Sequence, residues 1–187
     1  MNWRAITGAL GLMALAGCTT THEENVVNQV THNHYAASER VEQETAEAID
    51  TALIAVYAAI SGPVGQDRDW DAMRALFTPD ARLTAITPRG LMGGTVEDYI
   101  ARSGPVLVQS GFTERQLDRR LEVYGDLAHA WSSYEGHFTG TDGKPASVRG
   151  INSFQLVRQA DGRWLVQSIF WQAETPDNPL PDDLSGR

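Results

Sequence analysis

A single cysteine, at position 18, means that this chain cannot form an internal disulfide. Positive charge is also scarce. Fifteen Lys and Arg stand against 24 Asp and Glu, a net charge of −9. That balance disfavours nucleic acid and anionic membrane surfaces as partners, because both need clustered cations, although a local cationic pocket is still compatible with it. No GxSxG elbow, P-loop, nucleotide glycine fingerprint or set of metal ligands is present, so neither a cofactor nor a metal is expected. The glycines within residues 90–94 are spaced too irregularly to cradle a phosphate. Internal repeats are missing as well. With 187 residues, 42% of them hydrophobic, the chain can bury one sizeable core, which argues for a single domain.

The N-terminus carries information of its own. Arg4 precedes an apolar run at residues 5–16 that ends in small residues, the pattern of a secretory signal. About twelve residues cannot cross a hydrocarbon core about 30 Å thick as a helix. Leu15, Ala16, Gly17 and Cys18 resemble the lipobox of bacterial lipoproteins, which implies cleavage after residue 17 and a diacylglycerol on the Cys18 sulfur. With Thr19 rather than Asp next, the resemblance implies the outer membrane, with the domain facing the periplasm of the cell envelope. Residues 18–38 are polar and aperiodic and read as a tether. Its His22, His32 and His34 lack companion ligands and read as solvated.

The domain proper is expected over residues 39–175. Apolar positions Val41, Ile49, Ala52, Leu53, Val56 and Ile60 recur at three and four, marking an amphipathic helix over 39–60 that Ser61-Gly62-Pro63 ends. Asp69 caps a short helix through Phe77, stopped before Pro79. A short strand follows at 81–87, then a glycine-rich turn at 88–94. Thr95 and Asp98 open a helix to about residue 108, which Gly104-Pro105 should break or kink. Four strands come next, at 112–124, 127–139, 146–159 and 163–174. Their turns are Gly125-Asp126, the polar run 140–145 and Asp161-Gly162. The tail, 176–187, with its prolines, reads as an extended surface strap.

Helices that precede an antiparallel meander make an α+β pattern. Asp69, Trp70, Leu76, Phe77, Asp80 and Ala81 before the first strand, Asp126 and Ala128 opening a central strand, and Gly162, Arg163 and Trp164 before the last resemble the nuclear transport factor 2-like (SnoaL-like) superfamily over residues 44–174. The resemblance implies a cone-shaped fold whose curved sheet holds a pocket on its concave face, beneath the N-terminal helices. Members of the superfamily include steroid isomerases, dehydratases, polyketide cyclases and transport factors, and many dimerise through the convex face.

Alternation along the strands, with Thr139 taken opposite Ala146 and Ala160 opposite Arg163, sorts the side chains into two faces. The concave set then includes Arg119, Ser132, Tyr134, Arg149, Ser153, Gln155, Ser168 and Phe170, which are the candidate ligand-binding residues. Two cations among hydroxyls and an amide suit a small organic ligand with a carboxylate or other anionic group. The alternative for Arg119 and Arg149 is a place at strand ends, in water or paired with helix carboxylates. On the convex face Trp131, Phe154, Ile169 and Trp171 form an apolar band suited to a homodimer interface, the tether and the strap being the other possible covers.

No Asp, Glu or His falls in that concave set, and only Tyr57, Asp80, Asp98 or Tyr99 could supply a proton-transfer group from elsewhere. Three readings follow. One is a lipid-anchored protein that binds a small molecule without turnover. The others are an isomerase- or dehydratase-type acid–base enzyme and a homodimeric interaction module with a filled cavity. A one-residue register slip would alter the choice, since it would turn Asp118, Glu122, His129, Glu135 and His137 inward.

Overall fold

The computed structural model describes residues 43–186. The signal segment, Cys18, the tether with its histidines, and the expected helix start at residue 39 lie outside them. Helix α1 (Gln43–Ile60) buries Ile49, Leu53, Val56, Tyr57 and Ile60, one stripe at helical spacing. Helix α2 (Trp70–Arg74) starts where the Asp69 side chain accepts a hydrogen bond from the Ala72 amide at 2.9 Å. Strand β1 (Phe77–Thr87) is longer than expected, because a register irregularity between Phe77 and Arg82 takes up Pro79, which has no N–H to give a ladder.

The expected turn at 88–94 is instead a hairpin. Thr87 pairs with Gly90 across Pro88-Arg89, and β2 (Gly90–Gly94) returns along β1. Helix α3 (Val96–Ser110) has the capping box of Thr95 and Asp98, and Gly111, with φ of 66°, ends it. Pro105 does not break the helix, contrary to expectation. Packing outweighs the lost hydrogen bond there: Tyr99 and Leu107 are buried, and Gly104 lies so close to Trp70 that a Cβ would meet the indole at 3.1 Å.

Strands β3 (Thr113–Tyr124), β4 (Leu127–Thr139), β5 (Pro145–Arg158) and β6 (Trp164–Ala173) form the meander. The whole is an α+β fold with one curved six-stranded sheet, in the order β2-β1-β6-β5-β4-β3. β1 runs parallel to β6 and every other pair is antiparallel. The core lies between the inner sheet face and α1, where Ile49, Leu53, Ala128, Ala130, Phe154, Leu156 and Val166 are almost wholly excluded from water.

Two hairpin registers differ from the sequence reading. Thr139 faces Pro145, not Ala146, because Gly140 donates to the Lys144 carbonyl at 2.8 Å and closes a five-residue loop. Gln159 donates to the Arg163 carbonyl at 2.7 Å, and Arg158 faces Trp164, so the Asp161-Gly162 turn is wider than two residues. The first shift turns all of β5 over. The second restores Trp164 and Val166 to the inner face, and an irregularity opposite Gln155 and Leu156 then brings Ile169 and Trp171 inward.

One side chain ties the helices to the sheet. Arg68, only 7% exposed, donates from Nε to the Ile60 carbonyl at 3.1 Å and from Nη2 to those of Gly62 and Leu107 at 2.8 and 3.1 Å. It also reaches the carbonyls of Gln66 and Phe112. Gly62 leaves room for the guanidinium; a Cβ there would meet Arg68 Nη1 at 2.6 Å. The tail does act as a strap, but an anchored one. Its 3-10 turn, Asp182–Leu184, buries Leu184 to 1% exposure beside β3, and Arg149 Nη2 donates to the Ser185 carbonyl at 2.8 Å.

Candidate functional site

The inner face has a polar centre within its apolar surround. In β3 a register irregularity between Gln116 and Asp118 changes which residues point under the helices. Past it, Arg119, Leu121 and Val123 face Ser132, Ala130 and Ala128; before it, Gln116 faces Tyr134 and Glu114 faces Gly136. Glu114 therefore enters the core side of the sheet. Asn152, brought inward by the β5 register, donates from Nδ2 to Glu114 Oε1 at 3.3 Å and to Tyr57 Oη at 3.1 Å. Tyr57 Oη shares a 2.7 Å hydrogen bond with Ser132 Oγ, and its ring meets Phe154 edge-on.

Backbone contacts hold this set in place. Ser61, just past α1, donates from Oγ to the Tyr57 carbonyl at 2.7 Å and accepts from the Glu114 amide at 2.8 Å. Gly150 lets the Tyr134 ring lie over β5, since a Cβ would sit 2.5 Å from its hydroxyl. Burial pushes the Glu114 carboxyl up to about 7, with the Asn152 hydrogen bond opposing the rise. Burial likewise raises Tyr57, Tyr99 and Tyr134, so all three phenols keep their protons across the physiological range. What results is one carboxyl half-ionised near neutrality, beside protonated phenols and an amide.

The expected ligand residues divide between the two faces. Tyr134 and Ser132 lie inside, 4% and 0% exposed. Arg119 also turns inward, but its Nε and Nη2 grip Asp50 of α1 at 2.6 and 2.8 Å, so a helix carboxylate uses its charge. Arg149, Ser153, Gln155, Ser168 and Phe170, expected on the concave face, lie by their pairing on the other one. There Arg149 faces Glu174 at 3.6 Å and Ser153 Oγ meets His129 Nε2 at 3.1 Å.

Of the expected convex band, Phe154 and Ile169 are core residues, and Trp171 packs edge-on against Tyr99. Trp131 is outside, as expected. Of the candidate proton-transfer groups, Tyr57 is hydrogen-bonded within this network, Tyr99 is buried against Trp171, and Asp98 is occupied as a helix cap.

Sequence reasoning missed Glu114, Gln116 and Asn152. A signal for the first two was present: Phe112 and Leu121 both pack on the core although their positions differ in parity, which requires a one-residue irregularity between them.

A separate groove of about 400 Å³ lies between the loop before α2 and α3, lined by Asp67, Trp70, Ile100, Pro105 and Val108 among others. It contains none of the network residues. Among the described residues, no group of three His, Cys, Asp or Glu stands where it could hold a metal ion.

The model of the SnoaL-like domain family matches residues 46–169, two thirds of the chain. This chain belongs to that family. No curated protein matches this SnoaL-like domain. Solved structures similar to it include a protein of unknown function with a cystatin-like fold from Nostoc punctiforme, 14% identical, covering 76% of this chain and 99% of that one with a TM-score of 0.55. A nuclear transport factor 2-like protein of unknown function from Methylobacillus flagellatus is 16% identical over 74% of this chain and 98% of its own, with a TM-score of 0.52. A nuclear transport factor 2 superfamily protein from Salmonella enterica gives 19%, 76%, 94% and 0.51. At these identities the likeness is one of fold.

Glu114 of the SnoaL-like domain sets a pH signature. Its native value near 7 exceeds the ordinary 4.5, so the native state holds this proton more tightly than the unfolded chain does. The group's stabilising contribution is complete below pH 4.5 and is lost as pH rises through about 7. Urea unfolding at pH 5 and pH 8 should show the wild type losing roughly 2–3 kcal/mol more than Glu114→Gln. Equal losses in both proteins would mean that the carboxyl is solvated.

Proposed function

We propose that this SnoaL-like domain binds a small organic molecule beneath its helices and moves a proton on it through Glu114, as an isomerase or dehydratase does. One observation carries the reading: a carboxyl that burial pushes up to about 7 accepts a hydrogen bond from the Asn152 amide, which also donates to the protonated Tyr57 phenol. A proton-transfer group works best with a value near the operating pH. A carbon acid placed against Glu114 would yield its proton to the carboxylate. The oxygen that gains charge could then take a hydrogen bond from a neighbouring phenol, Tyr134 or Tyr57.

The test is hydrogen–deuterium exchange at carbon in D2O, followed by NMR over a panel of cyclic ketones and 3-keto esters. Exchange above the buffer rate should fall by about 100-fold or more in Glu114→Gln. Saturable binding with no exchange for any compound would instead support a receptor without turnover. That second reading is favoured by Ser132, Tyr57 and Asn152 already satisfying one another.

The outer face suits a second copy of the chain. Trp131, Phe170, Ile86 and Leu127 are each between 41% and 50% exposed on it. Light scattering should give the dimer mass, and Trp131→Glu should reduce it to the monomer with an unchanged circular dichroism spectrum. A wild-type monomer at micromolar concentration would remove the homodimer from consideration.

The same proposal places the domain in the bacterial cell envelope, held to the outer membrane through lipid on Cys18. The Leu15-Ala16-Gly17-Cys18 sequence supports it. Labelled palmitate should enter the wild type and not Cys18→Ser, which should leave the membrane fraction; equal labelling of both would refute the anchor.

A further inference from the structure

An arginine presents Nε–H and one Nη–H as a planar fork that matches the two oxygens of a carboxylate. Among the described residues that edge is used twice on a carboxylate. Arg119 holds Asp50 with it, and Arg74 holds Glu97 from Nε and Nη2 at 2.5 and 2.9 Å. The same two atoms of Arg102, on α3, are buried and have no hydrogen-bond partner among the described residues. Arg68 makes the contrast plain, because its guanidinium is engaged by backbone carbonyls.

The helix acids Asp98, Glu97 and Asp50 are already committed elsewhere. Asp98, one turn earlier, accepts from the Thr95 amide and hydroxyl, both at 2.8 Å, as the helix cap. Glu97 is committed to Arg74 and Asp50 to Arg119. A buried guanidinium edge without a partner is costly, so a site of this kind suits an anion supplied from outside. Arg102 lies one turn from the buried Tyr99, whose phenol its charge and that of Glu114 influence in opposite directions. Gln116, on the inner face of β3, has its Oε1 buried with no donor, ready for an O–H or N–H.

We propose that the ligand of this domain is an organic carboxylate, held side-on by Nε and Nη2 of Arg102. The inference rests on the reading that the inner face is the ligand site. The sequence pointed to an anion through Arg119 and Arg149; Arg102 takes over that role because those two cations are already paired within the fold.

Benzoate and its neutral isostere benzamide are the probes, titrated into the full chain by calorimetry and saturation-transfer NMR. Benzoate should bind saturably and benzamide at least about tenfold more weakly. Arg102→Gln should lose about tenfold or more in benzoate affinity, and Arg102→Lys, which keeps the charge but not the fork, should lie between. Thermal unfolding of each variant checks that it folds, and the comparison of the two probes on wild type needs no variant. Equal binding of the two probes, benzoate affinity unaltered by Arg102→Gln, or no saturable benzoate signal would overturn the proposal. Ketone exchange that persists without benzoate selectivity would sink only the carboxylate grip. Benzoate selectivity with no exchange in the wild type would sink only the proton-transfer reading.

Discussion

The guanidinium of Arg68 is the tie on which the site depends. Its acceptors are backbone carbonyls at the end of α1, in the loop that follows, in α3 and just before β3. Those acceptors belong to two segments, residues 60–66 and 107–112, with α2 and the β1–β2 hairpin between them in the chain. A cation that satisfies several of them at once fixes their spacing more tightly than apolar packing could, since hydrogen bonds to a charged donor are both directional and strong. Ser61 and Glu114 stand within two residues of carbonyls held in this way, so the placement of the carboxyl follows from the clasp.

Burial and polarity are in tension at the centre of the sheet, and the two sides are resolved differently. Ser132, Tyr57 and Asn152 satisfy one another, which is the ordinary requirement for polar groups in a core. Glu114 receives a single side-chain hydrogen bond from Asn152, too little to offset its loss of water, and it therefore retains a proton that an exposed glutamate would lose. Arg102 and Gln116 are left with buried atoms unmatched. A fold selected for stability alone would fill such positions with apolar side chains. These unmatched atoms, one set on α3 and one on the inner face of β3, are the physical reason for reading the space under the helices as a site.

The sequence made the architecture legible wherever a local rule decides it. Helical spacing found α1, and side-chain caps found the starts of α2 and α3. The two-residue turn at Gly125-Asp126 set β3 against β4 correctly. The site was less legible, because facing depends on parity and parity changes with one residue. Pro145 offers no amide and its sequence context reads as loop, yet it opens β5, and this one-residue difference reverses the strand, exchanging Ser153 for Phe154 and Arg149 for Gly150. The irregularities in β3 and β6 did the rest, and both leave a trace in the apolar pattern. Trp164 and Val166 are even, Ile169 and Trp171 are odd, and all four pack inward or against the core. Read with attention to such parity changes, the same sequence would have brought Glu114 and Trp171 to the correct side. The partners of Arg119 and Arg149 could not be read, because Asp50 and Ser185 meet them only through the tertiary fold.

The sheet order has a consequence for how the chain can assemble. β1 is made early and β6 last, yet they are neighbours, with Leu83 beside Ile169 in parallel register. The hairpin of β1 and β2 therefore stays unattached to the rest of the sheet until nearly the whole domain is available, and its closure spans most of the domain's length. Such long-range pairing slows folding, because the entropy of closing the loop is lost before the contacts that reward it are made. Any chain cut short before β6 would leave β1 and β5 as open edges, each free to pair with another molecule.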